Sequence, residues 1–134
     1  MRSESYRVLV IDPDGNVRTL LQLALDQQGH QVLVTPDGAV GVTLAQVEQP
    51  DIILLDVDAA RRNSPDVYLN LQRNPRTAGI PVLVFSAALT RGELVAWRRM
   101  PNVVDAIMKP FEIALLLSFI NAVCAARRSH QVGT

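Results

Sequence analysis

An α/β domain with helices on both faces of a parallel sheet is the fold this sequence predicts, from three observations. Strand-length apolar runs occur at Tyr6 to Ile11, Gln31 to Thr35, Ile52 to Leu55, Ile80 to Phe85 and Val103 to Met108. Stretches of helical period separate them, each long enough for the crossover that parallel strands require. The middle run, Pro50-Asp51-Ile52-Ile53-Leu54-Leu55-Asp56, is continuously apolar until it stops at an acid, as expected of a strand buried on both faces.

In chain order, the first strand ends in Asp12-Pro13-Asp14-Gly15, where Pro and Gly break the extended run and Asp14 can cap a helix from about 15 to 28. Val17, Leu20, Leu21, Leu23, Ala24 and Leu25 keep that helix's period, and Gly29 stands where a left-handed terminator is expected. The second strand turns at Pro36-Asp37-Gly38 into a helix with Val40, Leu44 and Val47 at three-and-four spacing. After the central strand, Ser64 or Pro65 opens a helix that runs through Leu71 and is broken at Asn74-Pro75. The fourth strand ends at Ser86. Thr90 to Arg99 is helical, with Glu93 favourably placed against the dipole in its first turn. The fifth strand ends in Lys109-Pro110, and Phe111 to Arg127 forms the last helix. Residues 1–128 read as one domain and 129–134 as a loose tail.

Composition narrows the function classes. A chain of 134 residues forms about one domain and buries roughly two-thirds of its unfolded surface without a disulfide or structural metal. Thirteen basic and thirteen acidic residues cancel, which argues against a broad nucleic-acid surface. The lone Cys124 lies in an apolar helical pattern and reads as a small buried hydrophobe. No signal-peptide core follows Met1, and the apolar segment at 111 to 126 is too short and interrupted to span a bilayer. The expectation is a soluble, cytoplasmic protein with no membrane contact.

The strand ends carry the chemistry. In an open α/β sheet the ligand crevice lies outside the carboxyl ends of the strands. Here that edge gathers Asp12, Asp56, Ser86 and Lys109 from strands one, three, four and five. Two neighbouring carboxylates repel, so the pocket either binds a divalent cation through oxygens or keeps one acid protonated. A carboxylate beside an ammonium and a cation can act as a nucleophile on a phosphoryl group, with the hydroxyl available to one of its oxygens afterwards.

From Tyr6 to about Ala126 the chain resembles a receiver domain of the two-component response regulators. Val-Leu-Val-Ile-Asp, Pro-Asp-Ile-Ile-Leu-Leu-Asp-Val, Ile-Pro-Val-Leu-Val-Phe-Ser-Ala and Met-Lys-Pro-Phe carry the resemblance together. It implies a flavodoxin-like fold with strand order 2-1-3-4-5 and a cis Lys109-Pro110 peptide. It implies that Asp56 is the phosphoacceptor, that Ser86 is the switch hydroxyl and Lys109 the phosphoryl-contacting lysine, and that Asp12, Asp56 and Asp58 form the metal set for magnesium (Mg2+). The partners so implied are a sensor histidine kinase or phosphotransfer protein and a downstream protein. The only self-catalysis implied is phosphorylation and dephosphorylation at Asp56.

Departures from the family pattern set further expectations. Pro13 stands where the resembling family has a second acid, so magnesium should bind weakly, and Asp14 serves either as a helix cap or, with the turn moved, as a ligand. Ala106 replaces the family's aromatic switch residue, and Ala60 the usual proline. Arg61 or Arg62 could reach the acidic edge or simply face water. Trp97 covers the core edge or anchors a partner. A homodimer or partner contact is expected on the face of the fourth helix, fifth strand and fifth helix, with Leu115 on its apolar strip and Trp97 at its margin. Pro13 and Ala106 also fit a degenerate receiver that binds a partner without phosphorylation. An enzyme binding a nucleotide or flavin on the same fold lacks a Gly-rich phosphate loop after the first strand.

Overall fold

The computed structural model describes residues 4–58 and 66–132. The expected helix start at Ser64 or Pro65, together with Ala60, Arg61 and Arg62, lies outside the described residues. Among the described residues, five strands and five helices alternate: β1 (Arg7–Ile11), α1 (Gly15–Gln27), β2 (Gln31–Thr35), α2 (Gly38–Glu48), β3 (Ile52–Asp56), α3 (Asp66–Arg73), β4 (Val82–Ser86), α4 (Arg91–Arg98), β5 (Val103–Met108) and α5 (Ile113–Val132). All strand pairs are parallel, in the order β2-β1-β3-β4-β5.

Every residue of β3 and β4 is buried, whereas most positions of the edge strands β2 and β5 are half-buried or exposed. Side chains alternate across the pleat, so each strand feeds two cores. Ile53, Leu55, Val82 and Val84 join Leu9 and Ile11 on the face covered by α2, α3 and α4. Ile52, Leu54, Leu83 and Phe85 join Val8 and Val10 on the face covered by α1 and α5. The continuous apolar runs of the sequence are the signature of this two-sided burial.

Local capping explains the boundaries. Asp14 accepts from the amides of Asn16 and Val17 and starts α1, and Gly29 ends the turn after it at φ +84°. Thr90 and Glu93 form a capping box at the head of α4, each side chain meeting the other's backbone amide. Pro81 has no amide proton to give, and β4 begins after it, although its carbonyl still accepts from Ile53 at 2.9 Å.

Three features were not readable from the apolar pattern. On α2, Val40 and Val47 face solvent, 49% and 68% exposed, while Gly41 and Ala45 meet the sheet. The close approach of this helix to β1 is the cause: a Cβ at Gly41 would lie 2.4 Å from Ile11 Cδ1 and 2.7 Å from its Cγ1. On α1, Leu20 and Leu23 are likewise exposed, and Leu21 and Leu25 are the buried pair. Finally, α5 continues to Val132, so the tail expected from 129 is helical up to that point. No Gly or Pro interrupts the sequence between Pro110 and Gly133. The far part of α5 is also fastened at the amino edge of the sheet, where Arg128 bonds Asp51 Oδ2 at 3.0 Å and lies over the Tyr6 ring at 4.5 Å. Asp51 accepts from the Arg7 amide as well, tying β1, β3 and α5 together.

Cys124 is buried on α5, and burial pushes its thiol up to about 12, consistent with a packing role. Trp97 packs partly buried against the core and meets Tyr68 edge-on, with centroids 5.3 Å apart, so it covers the core edge. Beyond it, Arg98 bonds Asp105 Oδ1 at 2.9 Å and the carbonyl of Ala106 at 2.8 Å, linking α4 to the edge strand β5. Among the described residues, no helix is long and apolar enough to cross a membrane.

The Gly41 contact yields a stability prediction. Gly41→Ala gains about 0.5–1 kcal/mol of helix propensity but overpacks a fully engaged Ile11, at a cost of about 1–3 kcal/mol. A net loss of about 1 kcal/mol is expected, read as a lower urea midpoint at unchanged slope. A midpoint at or above that of the wild type would show that α2 can move away from β1 at little cost.

Candidate functional site

Four strand ends build the site. Asp12 follows the last residue of β1 and is fully buried, its amide donating to the carbonyl of Thr35 at 3.0 Å. Its Oδ1 accepts from the Asp14 amide at 2.9 Å, and its carbonyl accepts from Arg18 at 2.8 Å. Asp56 closes β3 and is 3% exposed. Lys109 comes from the end of β5, where its amide bonds the carbonyl of Ser86 at 2.7 Å and the Lys109-Pro110 peptide is cis, as the family resemblance implies.

The Lys109 ammonium sits between the two acids. Nζ lies 2.5 Å from Asp56 Oδ2 and 2.7 Å from Asp12 Oδ2. The contact to Asp56 is a hydrogen bond as well as an ion pair; toward Asp12 the charges attract, but no donor is aligned on that buried oxygen. Burial raises the Asp12 carboxyl above the ordinary range, outweighing the pull of Lys109 in the other direction. Burial works against the Lys109 charge too, yet its close contacts with the Asp12 and Asp56 carboxylates win and hold its pKa above the usual lysine value.

Ser86 and Asp58 form a second arrangement beside this one. Ser86 is fully buried, and its Oγ accepts from the amides of Ala88 and Leu89 at 2.9 and 2.8 Å. Its proton goes to Asp58 Oδ1 at 2.7 Å, and the other oxygen of Asp58 accepts from the Ala87 amide at 2.6 Å. The structure therefore brings Asp12, Asp56 and Lys109 together and turns the Asp58 carboxylate onto the loop after β4. The Asp14 carboxylate caps α1 and takes no part in the pocket. Nothing in the order of residues announced the Asp58 contact; it needs β3 beside β4, with Asp56 opposite Phe85, to become visible.

A divalent cation at this edge would need oxygen ligands that converge. Among the described residues no group of three His, Cys, Asp or Glu side chains is placed to hold one. Two carboxylates do converge, and the unaligned Asp12 Oδ2 is a buried oxygen suited to a hard ion that keeps most of its water. The donor set fits magnesium through Asp12 and Asp56.

Comparison with known proteins gives the family and supports the fold. The family described as the response regulator receiver domain matches residues 8–121. The chain is 32% identical over 119 residues to Protein PilH of Pseudomonas aeruginosa, covering 89% of this chain and 98% of that protein. It is 32% identical over 117 residues to the DNA-binding dual master transcriptional regulator RpaA of Synechocystis sp., covering 87% of this chain and 48% of that one, so it spans about half of that relative. Among solved structures, a response regulator from Desulfuromonas acetoxidans superposes with a TM-score of 0.82 at 25% identity, covering 90% of this chain and 98% of that one. The receiver domain of a sensor histidine kinase from Pseudomonas aeruginosa, with a magnesium ion in its active site cleft, superposes at 0.71 and 18% identity, covering 91% and 99%. At that identity it supports the fold.

The buried triad predicts how the protein responds to losing its ammonium. Lys109→Met takes the ammonium away from two buried acids and should cost about 3 kcal/mol at pH 7. With the positive charge gone, Asp12 takes up its proton at a higher pH in the folded variant than in the unfolded chain. The folded state then binds more protons, so the variant regains stability as pH falls from 7 toward about 4. Urea unfolding at pH 7 and pH 5 checks this: an equal loss at both values would rule out the electrostatic account.

Proposed function

Because the chain belongs to the response regulator receiver domain family and serves two-component signal transduction, we propose that Asp56 is its phosphoacceptor. The observation that carries this reading is the Lys109 ammonium, held on Asp56 Oδ2 at the carboxyl end of the central strand with Asp12 alongside. An Asp56 carboxylate oxygen attacks the phosphorus of a phosphohistidine or a small phosphodonor. A new O–P bond forms as the donor's P–N or P–O bond breaks, and the leaving group departs with the electron pair and takes up a proton. Lys109 faces the negative charge on the phosphoryl oxygens, and Ser86 supplies a hydroxyl from the neighbouring strand.

Asp12 and Asp56 would hold magnesium, which when bound supplies charge neutralisation between the acids and the incoming phosphoryl group. Pro13 offers no side-chain oxygen and Asp14 caps α1, so we expect weak binding. The protein turns over no separate substrate; its chemistry is confined to gaining and losing the group on Asp56. Incubation with magnesium and a small phosphodonor should add one phosphoryl group to the wild type and none to Asp56→Asn. Pro13→Asp should reach the same level at a lower magnesium concentration. An unmodified wild type at saturating magnesium and donor overturns the phosphoacceptor reading; identical magnesium curves overturn the argument from Pro13.

The signal leaves through protein contacts. Leu115 is 66% exposed and borders an apolar groove of about 250 Å³ with Ile107, Phe111, Leu116 and Phe119, between β5 and α5. Such a patch rimmed by Glu112 and Asp105 suits a second copy of the chain or a downstream protein. Burying one leucine there contributes roughly 1.5–3 kcal/mol. Sedimentation should show concentration-dependent self-association, or association with the partner, that Leu115→Glu abolishes. A Leu115→Glu chain that associates as the wild type does would remove this face from consideration.

A further inference from the structure

We propose that Asp58 is an internal stand-in for the phosphoryl group, holding the Ser86 hydroxyl and Ala87 amide in the unmodified protein so that phosphorylation of Asp56 must evict it. The inference rests on the reading of Asp56 as phosphoacceptor and deepens it. The Ser86 hydroxyl has one proton, and the structure shows where it goes. Amides of Ala88 and Leu89 both point at Oγ, which fills its acceptor positions and leaves the proton for Asp58 Oδ1 at 2.7 Å. The Ala87 amide is taken by the other oxygen of the same carboxylate at 2.6 Å.

A carboxylate and a phosphoryl group are both oxyanions that accept such donors. The donors lie on the strand next to Asp56, since β4 pairs with β3 and Asp56 is opposite Phe85, one residue before Ser86. The Lys109 amide also bonds the Ser86 carbonyl, which places Ser86 between the acceptor strand and the lysine that holds Asp56. A phosphoryl group on Asp56 can recruit Ser86 only when that hydroxyl leaves Asp58. Phosphorylation also adds about 1.5 to 2 negative charges two residues from the Asp58 carboxylate, which repels it. The resting protein therefore holds the loop after β4 partly as an anion-bound loop, and the gain on modification is the difference between two anions competing for one pair of donors. Asp58 acts here as a positioning residue.

The test compares wild type, Asp58→Ala and Asp58→Asn, each checked for an intact unfolding transition, with a small phosphodonor titrated at fixed saturating magnesium. Asp58→Ala frees the donors and should reach half-modification at a roughly tenfold lower donor concentration, equivalent to about 1.4 kcal/mol. Asp58→Asn, which keeps the shape but loses the charge, should fall between the two and carries the test if the alanine variant does not fold. Without donor, amide exchange at Ala87 should be faster in both variants than in the wild type. Identical donor curves in all three proteins, or unchanged exchange at Ala87, overturn the proposal while leaving Asp56 as acceptor. Weaker modification of the variants assigns Asp58 to the cation and also overturns it. If no protein is modified, the phosphoacceptor reading fails and the proposal fails with it.

Discussion

The Lys109 ammonium, clamped by Asp12 and Asp56, is the interaction on which the rest of the site depends. Two acids at the ends of adjacent parallel strands cannot both stay charged in a dry crevice without a cation between them. Here the cation is delivered from β5, two strands away from β3 in the sheet, across β4. The sheet order is what makes this geometry available. With β1 and β4 flanking β3, the strand ends converge on the acid that closes the central strand, and the lysine reaches over from the edge.

The fold was legible because the interior has few ways of hiding these residues. Continuous apolar runs at Ile52 to Leu55 and Val82 to Phe85 are too short for helices of their own and read as strands covered on both sides, and the caps Asp14 and Thr90 mark helix starts by their own hydrogen-bonding chemistry. The helix faces were less legible. On α2 the residues that touch the sheet are Gly41 and Ala45, chosen for closeness of approach, while the larger Val40 and Val47 point outward. A hydrophobic period measures apolar area and cannot tell a helix that needs bulk from one that needs contact.

The site divides along the same line. Asp12, Asp56, Ser86 and Lys109 were visible because each terminates an apolar run, a one-dimensional mark. The role of Asp58 was not visible, because its carboxylate is defined by a neighbour 28 residues away on the next strand. Resemblance placed it among metal ligands; the structure shows it gripping the loop after β4. The capping role of Asp14 was readable for the opposite reason, since its partners are two and three residues ahead.

Arg98 bears on a different hazard. As an edge strand among the described residues, β5 carries backbone groups that no further strand pairs, a template on which another chain could add. The guanidinium of Arg98 occupies the Ala106 carbonyl and is steadied by Asp105, so a bulky, charged group stands across the middle of that edge. Strand-to-strand growth of the sheet is thereby obstructed at β5, and any association on this side of the molecule would have to use side-chain packing on α5 instead of an extension of the ladder.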